Sequence, residues 1–289
     1  MPTSQTLVVT GATGHLGRAV VEKLLDRGVA PDRIVAGGRN LDATKPLADL
    51  GVDVRRMDYD DPDSLAEAFA GAGRVLLVSG MDVGRRPAQH ARAAQLARDA
   101  GAELVAYTSG PRATTSSMLL MADHRASEEG IREVGVPFTF LRNDWYLEVY
   151  TERIPTYLQH GAVVGSAGDG RVSGALRAEL AEAAAVVLTT DGHENTVYEL
   201  GGDQAFTLSD LAATVAEQTG TPVGYRDVTV PELTAILVGA GLPEGFAPVI
   251  ADVDRGIRDG ELFVDSGDLS RLIGRRTTSL AEAVAAALR

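Results

Sequence analysis

The chain has no cysteine in 289 residues, which excludes disulfides, thiolate catalysis and cysteine-ligated metals together. No stretch approaches the roughly 18 consecutive apolar residues of a membrane-crossing helix. The opening M-P-T-S-Q-T runs straight into an apolar strand, without the basic, apolar and cleavage regions of a signal peptide, so a cytoplasmic location is expected. Basic residues are outnumbered, 27 Lys and Arg against 40 Asp and Glu, for a net charge of −13. That field repels polyanions and weighs against nucleic acid and acidic membranes as partners, while the surplus acid serves solubility. Internal repeats and low-complexity linkers are absent as well, so the whole chain is expected to fold together.

What is present begins at Leu7 to Gly17, L-V-V-T-G-A-T-G-H-L-G. A short apolar run breaks into three glycines and then enters an amphipathic helix, the strand, turn and helix order that a dinucleotide phosphate site needs. Gly11 permits a sharp turn, Gly14 lets backbone approach a pyrophosphate, and Gly17 lets the helix sit close to the sheet. The intervening Ala12, Thr13, His15 and Leu16 complete the loop, whose opening amides face an anion along the helix dipole.

The next strand, R-I-V-A-G-G-R-N, ends in Arg39. In a doubly wound fold this tip meets the adenosine ribose, where an acid selects NAD and an arginine pairs with the 2′-phosphate of NADP, so Arg39 points to NADP(H). A third strand, V-D-V-R-R-M-D-Y, delivers Asp58, which reads an adenine amino group, caps a local turn or does both; Asp63 or Ser64 is expected to cap the helix that follows. The continuous apolar run R-V-L-L-V-S-G reads as a strand buried on both faces, with Ser79 and Gly80 at its ligand-binding edge. An alanine-rich helix from Pro87 to Gly101 leads to E-L-V-A-Y-T-S-G, which sets Tyr107, Thr108 and Ser109 at the same edge, to touch nicotinamide or substrate or to satisfy backbone groups. A loop and a helix carrying His124 come next, with Met118 and Met121 upstream as core filler or a pocket wall. The strand V-P-F-T-F-L-R-N then ends in Arg142 and Asn143, followed by Trp145, Tyr146 and Tyr150.

The fold expected is α/β, a Rossmann-type doubly wound parallel sheet over residues 1–150. Residues 151–289, with helices such as E-L-A-E-A-A-A-V-V-L and short strands such as V-Y-E-L, are expected to complete the sheet and add a smaller C-terminal α/β cap over the substrate.

V-T-G-A-T-G-H-L-G, Y-T-S-G at 107–110, A-D-H-R-A-S-E at 122–128 and above all L-R-N-D-W-Y at 141–146 resemble the atypical short-chain dehydrogenases. Within them the chain is similar to the NmrA-like group and its bacterial NADPH-dependent quinone oxidoreductases, along nearly its whole length. The glycine motif is shared by many oxidoreductases; the L-R-N-x-W-Y segment with the histidine helix is more specific. The resemblance implies NADPH held by Gly11 to Gly17 and Arg39, with Ser79 and Gly80 along the cofactor and Asn143 with Trp145 lining a nicotinamide and quinone pocket. Asp144 departs from it where a glycine is expected, and Glu179 stands where an aspartate is common.

Most short-chain dehydrogenases use a tyrosine and a lysine four residues later to protonate an alkoxide. Here the only lysines, Lys23 and Lys45, follow Ala19 and Leu41 at that spacing, which disfavours ordinary carbonyl reduction and, with it, a sugar-nucleotide epimerase or dehydratase. Quinone reduction asks for less, because its product is a stabilised phenolate. His124 is the candidate proton donor or a packing histidine, Asn143 the candidate hydrogen bond to the quinone oxygen, and Trp145 and Tyr146 candidate stacking walls. No metal site is assigned. Two functions stand: an NADPH-dependent oxidoreductase with a small quinone-like substrate, or a redox-sensing regulator that binds NADP(H) without turnover. An exposed helical face is compatible with a homodimer.

Overall fold

The computed structural model describes residues 5–289. The chain first alternates strand and helix: β1 (Thr6–Val9), α1 (His15–Asp26), β2 (Ile34–Gly38), α2 (Lys45–Asp49), β3 (Asp53–Arg56), α3 (Pro62–Phe69), β4 (Ala72–Leu77), α4 (Arg86–Asp99), β5 (Leu104–Ser109), α5 (Leu119–Val134) and β6 (Phe138–Asn143). It continues through α6 (Leu147–Thr151), α7 (Ile154–His160), β7 (Ala162–Gly165), α8 (Arg177–Thr189), β8 (Thr196–Leu200), α9 (Leu208–Thr219), β9 (Gly224–Asp227), α10 (Val230–Gly239), α11 (Ala247–Arg258), α12 (Asp268–Ile273) and α13 (Leu280–Ala287).

The main sheet has the order β3-β2-β1-β4-β5-β6-β8, with the pairs from β3 to β6 all parallel. This is the doubly wound dinucleotide order with one further strand, β8, drawn from the second half of the chain. All six residues of β5 are buried, as a strand covered on both faces requires. The order reverses between β1 and β4, so the glycine turn after β1 and the Ser79–Gly80 turn after β4 flank the crevice where such sheets take ligands.

Two compact units divide the chain. The first holds the residues through Gly110, Asp123–Asn143 and Arg177–Tyr198. Its core joins Val8, Val35, Phe69, Val75, Leu77, Val105, Tyr107, Ile131 and Phe140. Helix α8 belongs to this unit and packs on α1, where Arg27 Nε donates to Thr189 Oγ1 at 3.0 Å. The second unit, Pro111–Ala122, Asp144–Leu176 and Glu199–Arg289, contains the parallel β7–β9 pair. Met118 and Met121 lie in its core with Leu147, Tyr150, Phe206 and Ile257. Helices α9, α10 and α13 each open with a capping box, Thr207 with Asp210, Thr229 with Glu232 and Ser279 with Glu282.

Helix α3 is capped by Asp61, whose carboxylate accepts from the Ser64 N–H at 3.3 Å, and not by Asp63 or Ser64. With Pro62 at the first helical position, the residue ahead of it is the one left extended to cap. Among the described residues no helix is long and apolar enough to cross a membrane.

Candidate active site

Gly11 sits at φ +63°, a left-handed turn that ends β1, and the neighbouring Ala12 N–H donates to the Gly37 carbonyl at 2.8 Å, tying the loop to β2. A side chain on Gly17 would place its Cβ 2.4 Å from the Gly11 carbonyl oxygen, so α1 begins pressed directly on the turn. The close packing expected of Gly17 is thus with the turn backbone. Ala12, Leu16 and Gly17 are buried, Thr13 is half-buried, and Gly14 and His15 are exposed. Unlike α9, α10 and α13, α1 has no side-chain cap and no acidic residue in its first turn. Following a glycine turn, such a helix start can take an anion from outside the chain.

Arg39, beyond the tip of β2, is exposed, as is Lys45. Arg18, on α1, donates to the Ala43 carbonyl and brings a second guanidinium to the stretch after β2. Asp58 follows its turn reading: Oδ1 accepts from the Asp60 N–H at 3.1 Å and Oδ2 from Arg56 at 3.2 Å.

The edge of β4, β5 and β6 is buried and densely bonded. The Ser79 N–H donates to Thr108 Oγ1 at 2.9 Å, and the Gly80 N–H donates to His90 Nε2 at 3.1 Å. Tyr107 Oη is hydrogen-bonded to His124 Nδ1 at 2.9 Å and lies 3.5 Å from Ser79 Oγ. Arg86 Nε pairs with Asp123 at 2.9 Å. Ser109 Oγ donates to Glu128 Oε1 at 2.7 Å, and Arg142 grips both oxygens of Glu128 at 2.8 and 2.7 Å. The hydroxyls of Thr108 and Ser109 thus hold the protein's own turn and ion pair. Asn143 is buried, and its Oδ1 has no hydrogen-bond partner among the described residues.

Burial pushes the His124 pKa well below the ordinary histidine value, aided by the Arg86 charge and by His90. Burial, with Arg86 again, lowers His90 to about 3. Both rings are neutral at neutral pH. Burial likewise raises the Tyr107 phenol. Trp145 and Tyr146 belong to the second unit, where Trp145 packs on the core and Tyr146 bridges Ala175. Asp144, in the same unit, accepts from the Trp145 N–H at 2.7 Å, and burial raises its carboxyl well above the usual range, with Glu199 adding to the shift.

Residues 11–191 match the family model described as NAD(P)H-binding. The chain is also 43% identical over 278 residues to quinone oxidoreductase 2 of Escherichia coli, covering 96% of this chain and 97% of that protein.

The chain belongs to this NAD(P)H-binding family.

The crystal structure of the Escherichia coli NADPH-dependent quinone oxidoreductase with NADPH superposes at a TM-score of 0.95, with 42% identity over 98% of this chain and all of that one. The Citrobacter triphenylmethane reductase complexed with NADP(H) superposes at 0.91, with 40% identity over 98% of this chain and 99% of that one. The family's cofactor fits the residues present. The uncapped start of α1 suits a pyrophosphate, and the unpartnered Asn143 Oδ1 suits a ligand's N–H at the far end of the same sheet edge.

Sequence reasoning missed Arg86, His90, Ser127 and Glu128. A signal was there for each. Arg86, His90, Ala93 and Ala97 recur at helical spacing on the buried side of α4, so the polar pair sits where only alanines were noticed. In α5, Asp123, His124, Ser127 and Glu128 share one face at i, i+1, i+4 and i+5, and every one of them bonds within the edge network.

Proposed function

We propose that the chain is an NADPH-dependent reductase that transfers hydride to a quinone or a similar conjugated carbonyl. The glycine turn from Gly11 to Gly17 holds the pyrophosphate and Arg39 the 2′-phosphate, with Arg18 close to the same stretch. Ser79, Gly80, Thr108, Ser109 and Asn143 form the edge along which the nicotinamide half lies. Bound there, NADPH supplies the hydride.

The observation that carries this reading is the Tyr107–His124 pair. The phenol at the β5 edge is bonded to a neutral imidazole and not to a cation that would make it a ready acid. In this reading the Tyr107 hydroxyl donates to Nδ1 at 2.9 Å, so the ring proton sits on Nε2, the nitrogen left for a substrate. A neutral imidazole offers a hydrogen bond to a developing phenolate without transferring a full proton, which suffices when the product anion is itself stabilised. His124 is thus assigned as a hydrogen-bond donor to the reduced ring. Asn143 assists from the end of β6. The similarity to a protein named as a quinone oxidoreductase supports the substrate class, and cytoplasmic placement fits an enzyme that draws on NADPH.

The test is oxidation of NADPH followed by its absorbance with a panel of quinones. Many turnovers per chain are expected with at least one of them. Tight binding that distinguishes NADPH from NADP⁺, with no turnover on any quinone, would replace the reductase with the redox-sensing regulator.

A further inference from the structure

His90 has no solvent exposure and no place in the chemistry proposed above, yet it joins two parts of the edge. The Gly80 N–H can only donate, so the Nε2 that receives it at 3.1 Å is unprotonated and the ring proton sits on Nδ1. Nδ1 therefore donates to Ser127 Oγ at 2.9 Å, and that hydroxyl donates onward to the Asp123 carbonyl at 2.8 Å. Each donor in this chain meets one acceptor. Tyr59 packs edge-on against the ring at a centroid distance of 5.4 Å, and Tyr107, the partner of His124, lies tilted at 4.9 Å. The imidazole is thus fixed in position, plane and tautomer, and it spans from the turn after β4 to the helix that carries His124.

We propose that His90 is a positioning residue: it pins the Ser79–Gly80 turn to α5 and so sets where the cofactor lies relative to His124. The proposal rests on the NADPH-dependent reading of this edge. A bridge of this kind acts on cofactor binding through a backbone amide, and a residue that merely filled the core would not need its two nitrogens in these opposite roles.

Two amide substitutions separate the bonds. His90→Gln carries its amide to the place of Nε2 and keeps an acceptor for Gly80, whereas His90→Asn reaches only the place of Nδ1 and keeps the Ser127 bond. Binding of NADPH by calorimetry, kcat and KM for NADPH at saturating quinone, and melting temperature are measured for both. We expect His90→Gln to stay within about threefold of the wild-type KM and His90→Asn to raise it about tenfold, the worth of one lost hydrogen bond to a buried donor, with kcat changing less. Equal shifts in the two variants, or lowered melting temperatures with unchanged KM, would overturn the proposal. If neither variant folds, Ser127→Ala removes only the outer bond: a rise in KM of about threefold supports the bridge and an unchanged KM overturns it. A wild-type chain that binds no NADPH would remove the functional reading and the proposal together. A wild-type chain that binds and turns over, beside indistinguishable Gln and Asn variants, would remove the proposal alone.

Discussion

The two ends of one sheet edge are built in opposite ways. At the β1 and β2 end the helix start is uncapped and its first turn holds no acid, and Arg39 stands exposed. At the β4 to β6 end the polar groups are buried and bonded to each other, from Thr108 and His90 to Glu128 and Arg142. In the function proposed, a dinucleotide brings its charge to the first end and its reacting ring to the second. The phosphate end can be open because the ligand supplies the missing partner, while the ring end must hold its geometry before the ligand arrives.

That contrast breaks most visibly at Glu128. Its carboxylate is fully buried and is gripped by Arg142, so Glu128→Ala breaks a buried ion pair and should cost about 3–5 kcal/mol of unfolding free energy in denaturant titration. A loss below about 1 kcal/mol would mean that the ring end is not a prebuilt network.

Acid should strain the same end. His90 and His124 have folded pKa values below the unfolded value, so below about pH 6.5 the unfolded chain takes up protons that the folded chain refuses, and stability falls as pH falls. Each ring contributes a slope of up to about 1.4 kcal/mol per pH unit, continuing for His90 towards pH 3. Unfolding curves between pH 6.5 and 5 check this, and His90→Gln should remove one ring's share. An unchanged slope in that variant would show that His90 titrates alike in both states.

At the open end, Arg39→Asp should raise KM for NADPH by about 10–100-fold, the range of a lost charged hydrogen bond, and leave NADH nearly unchanged. Equal changes for both cofactors would take the 2′-phosphate away from Arg39. The smallest effect is expected at His124, where His124→Phe should lower kcat about tenfold as one hydrogen bond to the product anion is lost, and the wild-type rate should stay flat from about pH 6 to 8. A rate that follows a histidine titration in that window would restore His124 as a charged proton donor.

The open end was the more legible in sequence, since a turn, a helix start and a strand tip are local. Gly11, Gly17 and Arg39 lie where their spacing implied. The ring end depends on which helix face meets which strand, and composition hid it. His90 and Arg86 sit in a segment that reads as alanine-rich, and the partner of Ser109 lies 19 residues on, in α5. Helix α8 shows the same limit at larger scale. Residues past 150 are expected to complete the main sheet, and β8 does so; that α8 ahead of it packs on α1 in the first unit is the non-local part that periodicity does not carry. Asp58 makes the local bonds of a turn carboxylate, one of them to Arg56 two residues away.

A ring end that is preorganised and a phosphate end that the cofactor completes differ most plainly in crystal structures of the protein with and without NADPH. The Gly80–His90 and Tyr107–His124 hydrogen bonds should persist unchanged between the two, while the Arg39 guanidinium moves from solvent onto the 2′-phosphate and the pyrophosphate meets the start of α1. A rearranged His90 or His124, with Arg39 left in solvent, would contradict this difference between the ends.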